Sequence, residues 1–346
     1  MVRKKPPDNR DISLDFIRVV SMIFVIGAHT SPKPMARSPL FTAAFLMILL
    51  TCNSNFYMLS GELNLSKRFE TAGDYRRYFA GKAVSLLFPY LLVTAMLTVW
   101  NMAVSGGEIT LSSYVKHLYL DIMAENNKIH LWFMYPLVGM LLSAPFLSRM
   151  VNAISDTELH IMFVIGILWG IVSIYFTADW DVGFAYSDWL WDGWSLTFFA
   201  GYYSRRVIKE ENKAVWYGLG LICFVINLLG TRLIPQHNKH WTDLAPAFLI
   251  FSMAAYTFLK NEIPIKGELP RRVIFFLASH SFTVYLVHYN VISSVTVKIL
   301  RPVKPAVCFF LSAAVTFAVS LLIAVVLDGC VIHPVQRYLK NRIYQK

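Results

Sequence analysis

Three ionisable residues, Asp15, Arg18 and His29, lie in an otherwise apolar segment close to the start of the chain. At about 100° per residue, the step from Arg18 to His29 is three turns plus about 20°, so the two side chains share one helical face. Asp15 precedes Arg18 by one turn and lies near the same face. Imidazole titrates near neutral pH, so His29 is a candidate general base and Arg18 a candidate anion-holding group. The alternative is an Asp15–Arg18 ion pair that orients the helix, with His29 at the membrane interface.

The elements that position these residues must be membrane-spanning helices. The chain has 346 residues, of which 56% are hydrophobic and 15% charged, whereas soluble domains carry about 25% charged residues. A soluble domain this apolar could not cover its surface with polar groups, and disordered, collagen-like and disulfide-stapled classes are also excluded. Ionisable groups at membrane depth are costly and mark function by default.

The apolar segments predict an all-α, polytopic integral membrane helix bundle with about ten transmembrane helices. With the N-terminus inside, the inner segments carry 22 Lys and Arg residues and the outer loops 9, so both termini are predicted to be cytoplasmic. The net charge of +11 then describes a cytoplasmic basic face rather than a nucleic-acid partner. We predict a cytoplasmic tail at 1–12, a single membrane domain at 13–331 and a cytoplasmic tail at 332–346. The predicted spans are 13–32, 39–61, 82–104, 129–149, 159–177, 189–207, 214–231, 242–260, 273–297 and 305–329.

Two outer segments have unusual patterns. Residues 109–123 place apolar side chains on one helical face, as in a helix that lies on the outer membrane surface. Residues 178–194 hold four of the nine Trp residues together with four Asp residues. This pattern is typical of an aromatic belt at the interface, and the alternative is a platform on which Trp rings stack against sugars.

Several further motifs follow Arg18 and His29 in order along the chain. They are "NFYMLSGELNL" (Asn55–Leu65), "YFAGKAVSLLFPY" (Tyr78–Tyr90), "HLWFMYPLVGMLLSAPFL" (His130–Leu147), "ASHSFTVYLVHYNVI" (Ala278–Ile292) and "HPVQRYL" (His333–Leu339). Together with "LDFIR" and the Arg18–His29 spacing, they resemble the motifs of the membrane acyltransferase-3 family. The chain is most similar to stand-alone members that O-acetylate bacterial surface glycans and have no appended extracytoplasmic domain.

The resemblance implies a membrane O-acetyltransferase of the bacterial inner membrane. Such an enzyme takes an acetyl group from cytoplasmic acetyl-CoA and places it on a sugar hydroxyl of a surface polysaccharide or lipid-linked glycan, such as O-antigen, on the periplasmic side. We expect His29 to remove the hydroxyl proton as the oxygen attacks the thioester, while Arg18 and Asp15 organise the pore. A covalent acetyl-His29 intermediate is the alternative.

A basic cluster on an inner loop is a candidate site for the phosphates of CoA. It is formed by Arg68, Arg76, Arg77 and Lys82, and the alternative is the ordinary positive-inside bias of a membrane protein. Four residues in the later motifs are candidates for contacting substrate or the developing oxyanion. They are His130, Trp132, Tyr285 and His288. No spacing typical of a metal site is present, and His280 and His333 are predicted to have no chemical role.

The chain departs from the family pattern at Ser85, where a second arginine is usual, at Tyr289, where proline is usual, and at Glu62, where an apolar residue is usual. Two rival functions stay open. In a proton-coupled secondary transporter, Asp15, Arg18, Glu62 and His288 would form a relay. In a non-catalytic glycan-binding or assembly protein, loss of His29 would be harmless.

Overall fold

The computed structural model describes residues 10–30, 39–106, 109–123, 130–176, 193–233, 243–296 and 305–344. Every regular element within these ranges is helical, in agreement with the predicted all-α class. The α-helices are α1 (Ile12–Thr30), α2 (Pro39–Leu65), α3 (Ala72–Lys82), α4 (Phe88–Val104), α5 (Leu111–Met123), α6 (Met134–Ala153), α7 (Asp156–Gly170), α8 (Gly193–Val207), α9 (Lys213–Leu233), α10 (Pro246–Asn261), α11 (Glu268–Val291), α12 (Pro305–Leu327) and α13 (His333–Tyr344).

The helices form two compact units. The first unit comprises Met1–Arg68 and Pro136–Ala278, and the second comprises Phe69–Tyr135 and Ser279–Lys346. Helices α1, α2 and α7–α10 lie wholly in the first unit, and helices α3–α5, α12 and α13 lie wholly in the second. The division places Asp15, Arg18 and His29 in the first unit.

Two glycines allow α2 and α8 of the first unit to pack at backbone distance. A Cβ added to Gly61 would lie 1.6 Å from the carbonyl oxygen of Phe198, and one added to Gly201 would lie 1.8 Å from that of Met58. No larger residue fits at either position, because the neighbouring atoms belong to the backbone. The Tyr57 and Trp194 rings stack 4.7 Å apart in the same interface.

In the second unit, short π-helical segments precede two prolines. Ala83–Leu87 joins α3 to α4 ahead of Pro89, and Asp328–Ile332 joins α12 to α13 ahead of Pro334. Proline has no N–H to donate to the preceding turn, and the widened turn accommodates this loss within a continuous helix. Gln336 donates from Nε2 to the Val84 carbonyl at 3.1 Å, which ties the two junctions together.

The predicted number of spans is only partly matched. Among the described residues, seven stretches are long and apolar enough to cross a membrane: Ile12–Thr30, Leu40–Leu65, Ala72–Val104, Leu131–Ala153, Asp156–Tyr175, Lys213–Leu233 and Phe309–Ile343.

The other three predicted spans fall on α8, α10 and α11. Helices α8 and α10 have 15 and 16 residues, which is about 22–24 Å against a hydrocarbon core of about 30 Å. Helix α11 has 24 residues, but polar residues such as His280, His288 and Asn290 interrupt its apolar part. The count of ten and the cytoplasmic termini therefore stay predictions.

The structure describes one of the two predicted outer segments and little of the other. Residues 111–123 are helical as expected, and α5 exposes Leu111, Val115 and Tyr119. Most of the Trp-rich segment 178–194 lies outside the described residues, and only Gly193 and Trp194 are placed.

Candidate active site

A buried carboxylate lies at the start of α1 between two guanidinium groups. Asp15 is 2% exposed and accepts from Arg18 Nη1 at 2.9 Å. It also accepts from Arg10 Nε at 2.5 Å and Nη2 at 2.8 Å. The Asp15–Arg18 ion pair of the alternative interpretation is therefore present, and Arg10 is a third member that the spacing argument missed. Because one carboxylate offsets only one of the two cations, the group retains positive charge.

The half-buried His29 lies on the same helix, three turns beyond Arg18. Its Nδ1 is 2.9 Å from the Val25 carbonyl oxygen. A carbonyl can only accept, so this bond assigns the ring proton to Nδ1 and leaves Nε2 as the basic nitrogen of the neutral imidazole. A general base needs a basic nitrogen in a fixed orientation, and the backbone of α1 provides it.

A second ion pair lies in the same unit, and only one of its two residues, Glu62, was singled out from the sequence. Glu62 on α2 is 3% exposed. Its Oε2 accepts from the Tyr256 hydroxyl at 2.7 Å, and its Oε1 accepts from Lys260 Nζ at 2.5 Å. Both charged groups belong to the first unit. The family departure at Glu62 thus has a structural partner, Lys260, on α10.

The predicted phosphate-binding residues are accessible, but they are divided between the two units. Arg68 is exposed at the end of the first unit, whereas Arg76, Arg77 and Lys82 lie on α3 of the second. Arg77 pairs with Asp74 at 2.8 Å. Lys82 Nζ lies 5.5 Å from the centre of the Tyr78 ring. Lys82 is the residue directly before the π-helical segment Ala83–Leu87.

Three of the four predicted substrate or oxyanion residues come together in the second unit. His130 and His288 have ring centres 5.4 Å apart, and the Tyr285 hydroxyl donates to the His130 carbonyl. His130 Nε2 is 3.2 Å from the Leu286 carbonyl oxygen, and His288 Nδ1 is 2.5 Å from that of Tyr285. These N–H and O–H groups therefore bond backbone carbonyls, which fixes the rings in place.

The neighbours of this cluster are aromatic. Tyr289, which replaces the usual family proline, stacks on His130 with ring centres 5.2 Å apart and an interplanar angle of 17°. Trp132, the fourth predicted residue, contacts Phe133 edge to face at 6.1 Å. The departure at Tyr289 thus gives His130 a stacked aromatic neighbour.

A buried histidine–aspartate pair in the second unit was missed. His280 Nδ1 is 2.6 Å from Asp328 Oδ2, and Thr283 Oγ1 donates to Asp328 Oδ1 at 2.6 Å. His280 is 7% exposed and Asp328 is 2% exposed. The prediction that His280 has no chemical role rested on its place near the end of a span, and the sequence carries no signal that pairs it with a residue 48 positions away.

The described part of the chain contains no group of three His, Cys, Asp or Glu side chains placed to hold a metal ion. His237 and His240, which the sequence pattern places in a loop or at the membrane interface, fall outside the described residues.

Comparison with known families finds a match over most of the chain. The acyltransferase-domain family model of the acyltransferase-3 type matches residues 11–325, which includes every predicted site residue. No curated protein and no solved structure matches the chain.

Proposed function

Since the chain belongs to the acyltransferase-3 family and is an acyltransferase of the membrane, we propose that it transfers an acetyl group from acetyl-CoA to a sugar hydroxyl. The acceptor in this proposal is a surface polysaccharide or a lipid-linked glycan on the periplasmic side of a bacterial inner membrane. Family membership favours this function over the proton-coupled transporter and over the non-catalytic glycan-binding protein.

One observation supports the catalytic assignment above the others. The bond from His29 Nδ1 to the Val25 carbonyl at 2.9 Å presents Nε2 as the basic atom. Arg18 and Asp15 share the helical face of His29. Arg18 lies about 16 Å from His29 along the helix axis. An α1 stripe that is charged at one end and basic at the other suits a reaction in which donor and acceptor approach from opposite sides.

The proposed step conserves atoms and charge. His29 Nε2 takes the proton from the sugar hydroxyl while the hydroxyl oxygen forms a bond to the thioester carbonyl carbon. The carbon–sulfur bond then breaks, and the proton on His29 passes to the thiolate of CoA. The products are an O-acetyl sugar and CoA with a free thiol. In the covalent alternative, His29 carries the acetyl group between two such steps.

The proposal for the donor's phosphates rests on α3. Arg76 and Arg77 are exposed there, and Lys82 is held beside the Tyr78 ring. Cationic side chains of this kind bind phosphate by charge-assisted hydrogen bonds. We expect Lys82→Gln to weaken CoA binding about 10-fold or more, the loss of one such bond. Lys116→Gln, on α5, is the matched control and should leave the affinity unchanged.

The second-unit cluster is proposed to contact substrate or the oxyanion through His130, Trp132, Tyr285 or His288. The Tyr285 hydroxyl, His130 Nε2 and His288 Nδ1 bond backbone carbonyls in this structure, so a donor role for any of these groups requires it to exchange a carbonyl for the substrate. Tyr285→Phe tests that exchange, because it removes only the hydroxyl. A drop in turnover with unchanged binding of both substrates indicates an oxyanion role.

The function itself is tested with inverted membrane vesicles that contain the protein and a glycan acceptor. Labelled acetyl-CoA is added to the exposed cytoplasmic face, and label is measured in the glycan inside. We expect label to accumulate in the glycan only where the protein is present. Absence of label with every acceptor, together with protein-dependent flux of a solute, would instead support the transporter.

A further inference from the structure

Among the buried polar side chains of the first unit that have no hydrogen-bond partner within the described residues are three on α1, α2 and α10. Ser21 on α1, Asn55 on α2 and Ser252 on α10 are each 0% exposed. The Ser21 and Ser252 hydroxyls are unpaired, and so are both Nδ2 and Oδ1 of Asn55. Buried polar groups in native proteins are nearly always paired, and an exception calls for an explanation such as water or a ligand. We call these three residues the Asn55 site.

The packing of α1 against α2 brings Ser21 level with Asn55. Helices joined by a short connection pack antiparallel, and a Cβ at Gly27 would lie 3.1 Å from the Leu49 side chain. Ser21 precedes Gly27 by six residues, and Asn55 follows Leu49 by six. The two residues therefore lie at the same height along the antiparallel pair.

The ion pair at Glu62 sets the corresponding height on α10. Asn55 precedes Glu62 by two turns and shares its face, about 10 Å along the axis. Ser252 precedes Tyr256 by one turn and Lys260 by two, and both of those residues bind Glu62. Asn53 Nδ2 donates to Asp243 Oδ1 at 3.1 Å, just before α10 begins, whereas Glu62 bonds Tyr256 and Lys260 towards its end, so α2 and α10 run in the same direction. Asn55 and Ser252 thus lie on the facing sides of α2 and α10, on the same side of the ion pair.

On α1, the Asn55 site falls between the charged group and the proposed base. Ser21 lies one turn beyond Arg18, about 4.5 Å along the axis, and about 12 Å before His29. A thioester that enters on the side of Arg18 and reacts at His29 must pass the position of Ser21 along α1.

We infer that the Asn55 site binds the pantetheine arm of the thioester donor through its amide groups, an inference that rests on the proposed function. The arm is uncharged and carries amide N–H donors and C=O acceptors. The carboxamide of Asn55 offers the complementary acceptor and donors, and the serine hydroxyls do either. The site itself carries no charge, which favours a neutral ligand over an ionic one at this depth.

The test compares substitutions of matched chemistry in the full-length protein, with CoA as the probe. Asn55→Leu and Ser252→Ala alter the site. Ser54→Ala is the control, because Ser54 is also 0% exposed and unpaired. It precedes Met58 by one turn and Gly61 by two, and so lies on the α8 side of α2.

We expect Asn55→Leu to weaken CoA binding about 10-fold and Ser252→Ala about 3-fold, the loss of two bonds and of one. Ser54→Ala should bind as the wild type does. Free pantetheine, which lacks the nucleotide, should show the same losses as CoA. The unfolding temperature without ligand should not fall in Asn55→Leu, since the change removes an unpaired buried amide, and this reading shows that the variant folds.

Three outcomes would overturn the inference, and they can be told apart. If the wild type binds CoA and both site variants bind it equally well, the site holds only water. If CoA binding is unchanged but the KM for the glycan rises, the site belongs to the acceptor. If the wild type binds neither CoA nor pantetheine, the proposed donor is itself wrong and the inference falls with it.

Discussion

The Glu62–Lys260 ion pair allows an asymmetric prediction about stability. Glu62 is 3% exposed in its side chain, whereas Lys260 is 20% exposed. Removing one partner of a buried pair typically costs about 3–5 kcal/mol, because the other charge is left without compensation. The cost should therefore depend on which charge is left behind.

Replacing the lysine leaves the more deeply buried group. In Lys260→Met, the Glu62 carboxylate keeps only the Tyr256 bond, and we expect a loss of about 3 kcal/mol in the free energy of unfolding. In Glu62→Gln, the amide still accepts from Tyr256, and the long lysine stem can carry its ammonium to water. We expect this loss to be about 1–2 kcal/mol.

The assay is reversible unfolding of the purified protein in mixed micelles, followed by intrinsic fluorescence. The double variant should be more stable than the sum of the single losses predicts, because it leaves no unpaired charge. Glu210→Gln is the matched control. It also removes a carboxylate from a lysine pair, Lys213–Glu210 at 2.7 Å, but Glu210 is 76% exposed, so the loss should be below about 1 kcal/mol. Equal losses in Lys260→Met and Glu62→Gln, or losses no larger than the control, would refute the reasoning from burial.

Three further predictions concern packing, the histidine pair and acid stability. Gly61→Ala should lower the free energy of unfolding by more than about 3 kcal/mol or prevent folding, because the added Cβ meets a carbonyl oxygen at 1.6 Å. Gly218→Ala is the control, since its Cβ meets nothing within 4 Å, and it should be neutral or slightly stabilising in the same unfolding assay. Equal effects of the two substitutions would contradict the proposed helix packing. Asp328→Ala should destabilise the protein by about 3 kcal/mol, since His280 and Thr283 both lose their partner, and an unchanged unfolding midpoint would contradict a buried pair. The Lys213 ammonium and the Tyr217 hydroxyl hold the pKa of Glu262 below its ordinary value of 4.5. The stabilisation that results from the lowered pKa is present above pH 4.5 and is lost as the pH falls through the lower pKa of the folded state. Glu262→Gln should therefore lose less stability between pH 5 and pH 3 than the wild type does. Identical curves of stability against pH for the two proteins would contradict this prediction.

Helical periodicity was sufficient to predict the α1 stripe. Asp15, Arg18 and His29 are related by spacing within one helix, and the Asp15–Arg18 bond at 2.9 Å follows from a separation of one turn. The same reasoning predicted a helix at 109–123, where the structure has α5 at Leu111–Met123. Periodicity shows which side chains share a face, and it works where both partners belong to that face.

Periodicity could not show which helices pack together. Lys260 Nζ meets Glu62 across 198 positions, and His280 meets Asp328 across 48. Hydropathy likewise located α8 and α10 but not their lengths, because helix ends depend on local turns and caps rather than on average hydrophobicity. The unpaired amide of Asn55 was also out of reach, since only the packing reveals that nothing in the described residues bonds it.

The central claim is that His29 acts as the base in acyl transfer. The most direct measurement is the single-turnover rate of acetyl transfer by purified His29→Ala at saturating acetyl-CoA and acceptor. His117→Ala is the control, because His117 Nδ1 also bonds the carbonyl one turn earlier, that of Ser113 at 2.8 Å, but lies exposed on α5. We predict a loss of about 100-fold or more for His29→Ala, as expected for a general base, with normal CoA binding and no loss for His117→Ala. Transfer by His29→Ala at the wild-type rate would contradict the account.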